Sequence, residues 1–357
     1  MSISNLIVVK VGSNILVDQK KGLRLEVIAN ILKTLAKSVR QGDQILLVTS
    51  GAVKLGRFLL GNKEVSVNEA AAVGQMELNF QYQTAAKKAG LILGEILLAR
   101  PHLLKREQFL KLQQTLDRFF NDKIIPLVNE NDALVAGTEW TFGDNDSLAT
   151  ALAISLKAQK LIILSHVNGF YQGDPENNSE NKVIPEVADV NRELMEYCGK
   201  AVSVGGRGGM VSKLKSIRIC TAVGIEAMII NGLETANLEL ALAGQKVGTL
   251  FKARKFSGKI SNRQRWLLAA KNSAGSLEVD DGAAAALRAG KSLLAVGVKK
   301  VYGTFKSGEI IELIDFQKEG IAFGIVDFSS DQVEDFLKSG SQHGKQLMHT
   351  DNIMILG

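Results

Sequence analysis

A chain of 357 residues with 46% hydrophobic and 22% charged side chains is too apolar for a disordered protein and long enough for two cores. Its net charge of +6 is unevenly held, since residues 276–357 carry 8 basic and 12 acidic side chains, which argues against RNA as a partner of that segment. No apolar run reaches membrane-spanning length, the first ten residues read as a strand and not a signal peptide, and Cys198 and Cys220 lack metal-ligand spacing, so a reduced, cytoplasmic protein is expected.

Up to Phe251, β-branched runs alternate with helical patterns. Leu6–Val11, Gln44–Thr49, Ile92–Leu98, Lys123–Val128, Leu161–Leu164 and Glu226–Ile230 read as buried strands. Between them, Val27, Ile31, Leu32 and Leu35 make one helical face, and Leu148, Leu152 and Leu156 another. This alternation predicts an α/β fold, an αβα sandwich around a mainly parallel sheet with right-handed crossovers. Six basic residues and no acidic one then fall between Lys252 and Arg265, read first as a solvated linker, and 266–270 is expected to add a strand. Asp280-Asp281-Gly282 opens an alanine-rich helix. Short glycine-punctuated strands follow at Ser292–Val296, Val301–Phe305, Glu309–Ile314 and Ile321–Val326, with no long helix expected between them. They predict a small β-barrel-like domain. The expected division is 1–253, a linker at 254–274, and 275–357.

In open parallel sheets ligands bind at the carboxyl ends of the strands. There the sequence places Lys10-Val11-Gly12-Ser13, Ser50-Gly51-Ala52-Val53, Asn129-Glu130-Asn131-Asp132 and Gly143-Asp144-Asn145-Asp146, with a glycine-rich turn at 205–209 ahead of a helix carrying Lys213. Each alone also fits a plain capped turn. Together they suit phosphoryl transfer. Glycine turns at helix starts offer N–H groups to phosphates, two lysines neutralise transferring charge, and the acid and amide side chains orient a substrate or assist Mg²⁺. No G-x-x-x-x-G-K-[ST] loop, H-R-D or D-F-G motif is present, and the four histidines are scattered, so neither a zinc site nor a histidine triad is expected.

In this order, Lys10-Val-Gly-Ser13, Ser50-Gly-Ala-Val53, Asn129-Glu-Asn-Asp132, Gly143-Asp-Asn-Asp146 and Gly208-Gly-Met-x-x-Lys213 resemble the glutamate 5-kinase family of the amino-acid kinase superfamily. Val279-Asp-Asp-Gly282 with Lys291-Ser-Leu-Leu294 resembles its C-terminal PUA domain. The resemblance implies transfer of the γ-phosphate of ATP, with Mg²⁺, to the γ-carboxylate of L-glutamate, the first step toward proline. It implies that Lys10 and Lys213 contact phosphate while Asp146 positions them. It also implies that Ser50, Asp132 and Asn145 hold glutamate, with Asn129 and Asp144 beside them. The nucleotide is expected at Lys10, Gly12, Ser13, Ser165, His166 and the run Arg207, Gly208, Gly209, Met210, Val211, Ser212, Lys213. Inhibition by proline and a homo-oligomer are implied too. One stretch departs from the family pattern. Where two carboxylates are usual, this chain has His166 and Asn168, which puts the nucleotide contacts in question. Two alternatives stay open at this point: another superfamily member acting on acetylglutamate, aspartate or a nucleotide, and an RNA-binding PUA protein.

Overall fold

A computed structural model of the protein describes residues 5–61, 64–173, 181–191, 194–195, 197, 209–254, 265, 268, 275–340 and 344–356. The chain divides into two compact units, Met1–Lys255 and Phe256–Gly357. The first is built on an eight-stranded sheet in the order Ile92–Leu98, Ile124–Glu130, Gln44–Val48, Leu6–Val11, Lys160–Ser165, Glu226–Asn231, Thr249–Phe251, Glu186–Val187. The first six strands run parallel, and Thr249–Phe251 lies antiparallel against Glu226–Asn231. All six residues of Leu6–Val11 are buried, and five of them are aliphatic, as expected of a strand covered on both faces. The chain leaves this strand for Gln44–Val48 on one side and returns with Lys160–Ser165 on the other. That reversal opens a crevice at the strand ends, where Lys10 sits in register with Val48 and Ile163.

Local chemistry sets the helices around that crevice. Helix Leu25–Gln41 buries Ile28, Ile31, Leu32 and Leu35 against the sheet and ends at Gly42 in the left-handed conformation. Helix Asn145–Ser155 is buried almost all round, and Asp144 caps its start by accepting the N–H of Ser147 at 2.7 Å. Helix Ala52–Leu59 begins at Gly51, whose φ of 99° suits glycine. It crosses helix Val67–Ala89 at backbone contact. A Cβ on Gly56 would lie 1.8 Å from the carbonyl oxygen of Ala70, and one on Gly74 1.9 Å from that of Ala52.

The second unit holds a five-stranded sheet ordered Val298–Gly303, Gly275–Val279, Ile310–Ile314, Gly320–Ile325, Ile353–Ile355. The expected alanine helix forms over Asp281–Arg288, capped by Asp280. Three features depart from the sequence reading. Of the strand expected at Ser292–Val296 only Leu293–Leu294 forms, followed by a 3₁₀ turn at Ala295–Gly297. Gly275–Val279 is a strand, and the ten-residue helix Ser330–Ser339 interrupts the strands. Its capping box, Ser329 with Gln332, was present in the sequence. Of the strand expected at 266–270 only Leu268 is described, and it is helical. Among the described residues no helix is long and apolar enough to cross a membrane.

Candidate active site

Three charged side chains from three elements meet at the end of the central strand. Lys10 comes from the strand, Asp146 from the first turn of helix Asn145–Ser155, and Lys213 from the first turn of helix Met210–Ala222. Lys10 Nζ lies 2.7 Å from Asp146 Oδ1, and Lys213 Nζ lies 3.1 Å from Oδ2. The carboxylate is 1% exposed and the two lysine side chains 7% and 12%. Burial pushes the Asp146 carboxyl up, but the Lys10 and Lys213 ammonium groups outweigh it and hold the acid below its ordinary value. One buried carboxylate thus fixes two ammonium groups and leaves the set with an excess positive charge.

Lys10 also lines a cavity of about 520 Å³, together with Ser13, Ser50, Asp132, Asp144 and Asn145. The Ser50 hydroxyl donates to the carbonyl of Val11 at 2.6 Å, and Asp132 opens the short helix Asp132–Val135. Asn129 is not on the cavity wall. It is buried one layer behind, because the strand carrying it runs to Glu130, two residues past the expected end. Its amide is engaged by Gln75 at 2.7 Å and by Asn145 at 2.9 Å.

Of the residues expected near nucleotide, Gly12, Ser13, Ser165, His166 and Gly209 to Lys213 are among those described. The Gly12 N–H donates to Leu164 O at 3.0 Å, joining the turn before Ser13 to the neighbouring strand. Ser165 is buried at the end of that strand, and His166, directly after it, is exposed. Asn168 accepts from Asn231 at 2.8 Å. Gly209 precedes helix Met210–Ala222, whose first turn carries Met210, Val211, Ser212 and Lys213, and the Ser212 hydroxyl donates to Asp144. Arg207 and Gly208 lie outside the described residues, as do Cys198 and most of the basic stretch after Arg254.

Sequence reasoning missed several wall residues. Lys54 and Arg57, on helix Ala52–Leu59, bring further cations to the cavity. Burial lowers the pKa of Lys54, whose Nζ donates to Asn14 Oδ1 at 3.2 Å. Their spacing of three residues on one helix face was the available signal. Glu130 also lines the cavity. Its buried carboxylate accepts from Thr141 Oγ1 at 2.8 Å and from the Phe142 N–H, and burial pushes its pKa up. Arg100 Nε donates to Thr141 O at 3.0 Å, so the two side chains clasp the loop leading to Gly143 and Asn145.

A buried acid thus bridges two lysines at the switch point of a parallel sheet, beside a cavity lined by charged and amide side chains. Residues 5–231 match the Amino acid kinase family and residues 275–345 the PUA domain, and the chain belongs to the amino acid kinase family. Among its relatives are three proteins named glutamate 5-kinase. That of Gloeobacter violaceus is 38% identical over 92% of this chain and 90% of its own. That of Geobacter sulfurreducens is 36% identical over 98% and 97%, and that of Proteus mirabilis 34% identical over 99% and 100%.

Proposed function

We propose that this protein phosphorylates the γ-carboxylate of L-glutamate with ATP, giving L-glutamyl 5-phosphate and ADP. The observation that carries the reading is the ammonium pair of Lys10 and Lys213 on the two oxygens of buried Asp146, at the wall of a cavity lined by Ser50, Asp132 and Asn145. The relatives' shared name fits it. The acceptor carboxylate is already ionised near neutral pH, so no general base is needed. An acceptor oxygen bonds to the γ-phosphorus, the bond to the β–γ bridging oxygen breaks, and ADP leaves with that electron pair. Attacker and donor are both anions, so catalysis rests on positioning and on fixed cations. Lys10 meets the transferring phosphoryl oxygens and Lys213 the leaving oxygen, while Asp146 keeps both ammonium groups in place. Ser50, Asp132 and Asn145 hold the amino acid.

Among the described residues no group of three or more His, Cys, Asp or Glu side chains could hold a metal ion, and the Asp144 carboxylate already accepts from Ser147 and Ser212. A Mg²⁺ would therefore come with the nucleotide, held chiefly by its phosphate oxygens. Bound there, the ion would neutralise phosphate charge.

The test is incubation with ATP, Mg²⁺ and glutamate, aspartate or acetylglutamate, with hydroxylamine to trap an acyl phosphate. ADP release and a γ-hydroxamate with glutamate are expected, and equal rates with either alternative would overturn the acceptor. Proline added to the same assay, and sizing of the protein in solution, test inhibition and self-association. Asp132→Ala is expected to raise the glutamate KM about tenfold or more, as loss of a charged hydrogen-bond partner does. An unchanged kcat/KM for glutamate would remove Asp132 from the acceptor site. His166→Asp is expected to move the ATP KM more than the glutamate KM, and the reverse pattern would place His166 away from nucleotide.

A further inference from the structure

Side-chain amides have a direction, because turning one over exchanges its donor for its acceptor. Four polar side chains connect the edge of the sheet to the cavity, and each joins the next in one sense only. On the edge strand Ile92–Leu98, the exposed Glu95 accepts from Gln75 Nε2 at 3.0 Å and from Asn79 Nδ2. Gln75 therefore turns its oxygen inward, where it accepts from Asn129 Nδ2 at 2.7 Å. Asn129 in turn presents Oδ1 to Asn145 Nδ2 at 2.9 Å and to the peptide N–H of Glu130 at 2.9 Å. The chain ends at Asn145 Oδ1, a buried oxygen with no hydrogen-bond partner among the described residues, on a side chain that lines the cavity.

We infer that Glu95 and Gln75 are positioning residues for the acceptor: an acceptor-only carboxylate at the sheet edge and the Glu130 peptide N–H together hold a relay in the one direction that offers the oxygen of Asn145 to the substrate's ammonium group. The inference rests on the acceptor site proposed above. A carboxylate cannot donate, and Asn79 Oδ1 also accepts from Gln75 Nε2 at 3.0 Å, so Gln75 has one favourable orientation, and the Glu130 peptide N–H, which cannot accept, demands the same sense from Asn129. A buried oxygen without a partner loses its hydrogen bonds to water, and an ammonium N–H supplies the missing donor. Neither Glu95 nor Gln75 lines the cavity, so their effect passes through Asn129 and Asn145.

Glu95→Lys places a donor where the relay needs an acceptor. Glu95 is exposed, so the variant is expected to melt with the wild type, with kcat and the ATP KM changed by less than about twofold and the glutamate KM raised about tenfold, the scale of one misdirected hydrogen bond to a charged group. Gln75→Met, which fills the space without polarity, is expected to raise the glutamate KM likewise. Glu95→Gln can still turn an oxygen to Gln75 and is expected near wild type. The double variant Gln75→Glu with Glu95→Gln preserves the sense of every bond toward the site and is expected to keep the glutamate KM near wild type. Wild-type glutamate KM in both Glu95→Lys and Gln75→Met overturns the relay and leaves the acceptor site standing. So does a loss confined to kcat and melting temperature, which marks a merely structural role. A wild-type protein that phosphorylates no glutamate overturns the acceptor site and the relay together.

Discussion

Lys10→Ala and Lys213→Ala are each expected to fold and to lose about 100- to 1,000-fold in kcat, the usual effect of removing one preorganised electrostatic group from a transition state. The substrate KM values should move much less, because a cation that meets the γ-phosphoryl mainly as charge redistributes does little for ground-state binding. The geometry adds a reason for the two losses to be similar. Both ammonium groups are aimed by one carboxylate, at 2.7 and 3.1 Å, so removing either leaves the other in place but alone. Arginine should rescue poorly at both positions, since a planar fork cannot take the place of a compact ammonium in a pocket where the side chain is 7% or 12% exposed. Initial rates of ADP release at saturating substrate, with thermal melts as the folding control, decide the matter. Turnover near wild type in either alanine variant removes that lysine from the mechanism.

Asp146→Asn is expected to damage stability as well as rate. Its carboxylate is 1% exposed and neutralises two nearly buried ammonium groups, so the amide leaves like charges facing each other without a counter-ion. Breaking a buried ion pair from one side typically costs about 3–5 kcal/mol. The pH dependence follows from the depressed carboxyl pKa. An acid stronger when folded than when unfolded contributes stability above its unfolded value, here near 3.8, and loses it as pH falls through the lower folded value. The gap between wild type and variant should therefore hold steady between roughly pH 5 and 8 and narrow only under strong acid. Urea unfolding midpoints across that range test it. Equal midpoints at neutral pH would mean that the three charges do not stabilise one another.

Much of this site was legible before any fold was known, because its parts are fixed by residue type and place. A lysine near the end of an otherwise apolar strand and an Asp-Asn-Asp run starting a helix each fit a plain role alone, but their coincidence at one sheet edge and the family resemblance linked Lys10 with Asp146, and the two side chains do meet. The parallel sheet was legible for the same reason, since strands buried on both faces read as unbroken apolar runs. What escaped is what lies one layer back. Asn129 reads as a loop residue free to touch substrate, yet the strand continues through it and its amide is spent on Gln75 and Asn145. Gln75 sits in the middle of a helix with no motif to mark it. Its importance comes from which strand that helix crosses, and no local pattern encodes a crossing. In the second unit, the helix Ser330–Ser339 was overlooked although its capping box was in view, because glycine-punctuated strands on its N-terminal side set the expectation.

The crossing at Gly56 and Gly74 bears on how such an enzyme can change in the course of evolution. Position 74 holds the helix of Lys54 and Arg57 at backbone contact, and position 75, its neighbour in the chain, directs the amides behind the opposite wall. Lining residues can be exchanged one mutation at a time, each tested against new acceptors. The glycine pair cannot, because the first side chain added at either position collides with a carbonyl oxygen of the other helix. A descendant seeking a larger acceptor must therefore keep this crossing and find room elsewhere in the cavity, so its history is channelled by a contact that no substrate ever touches.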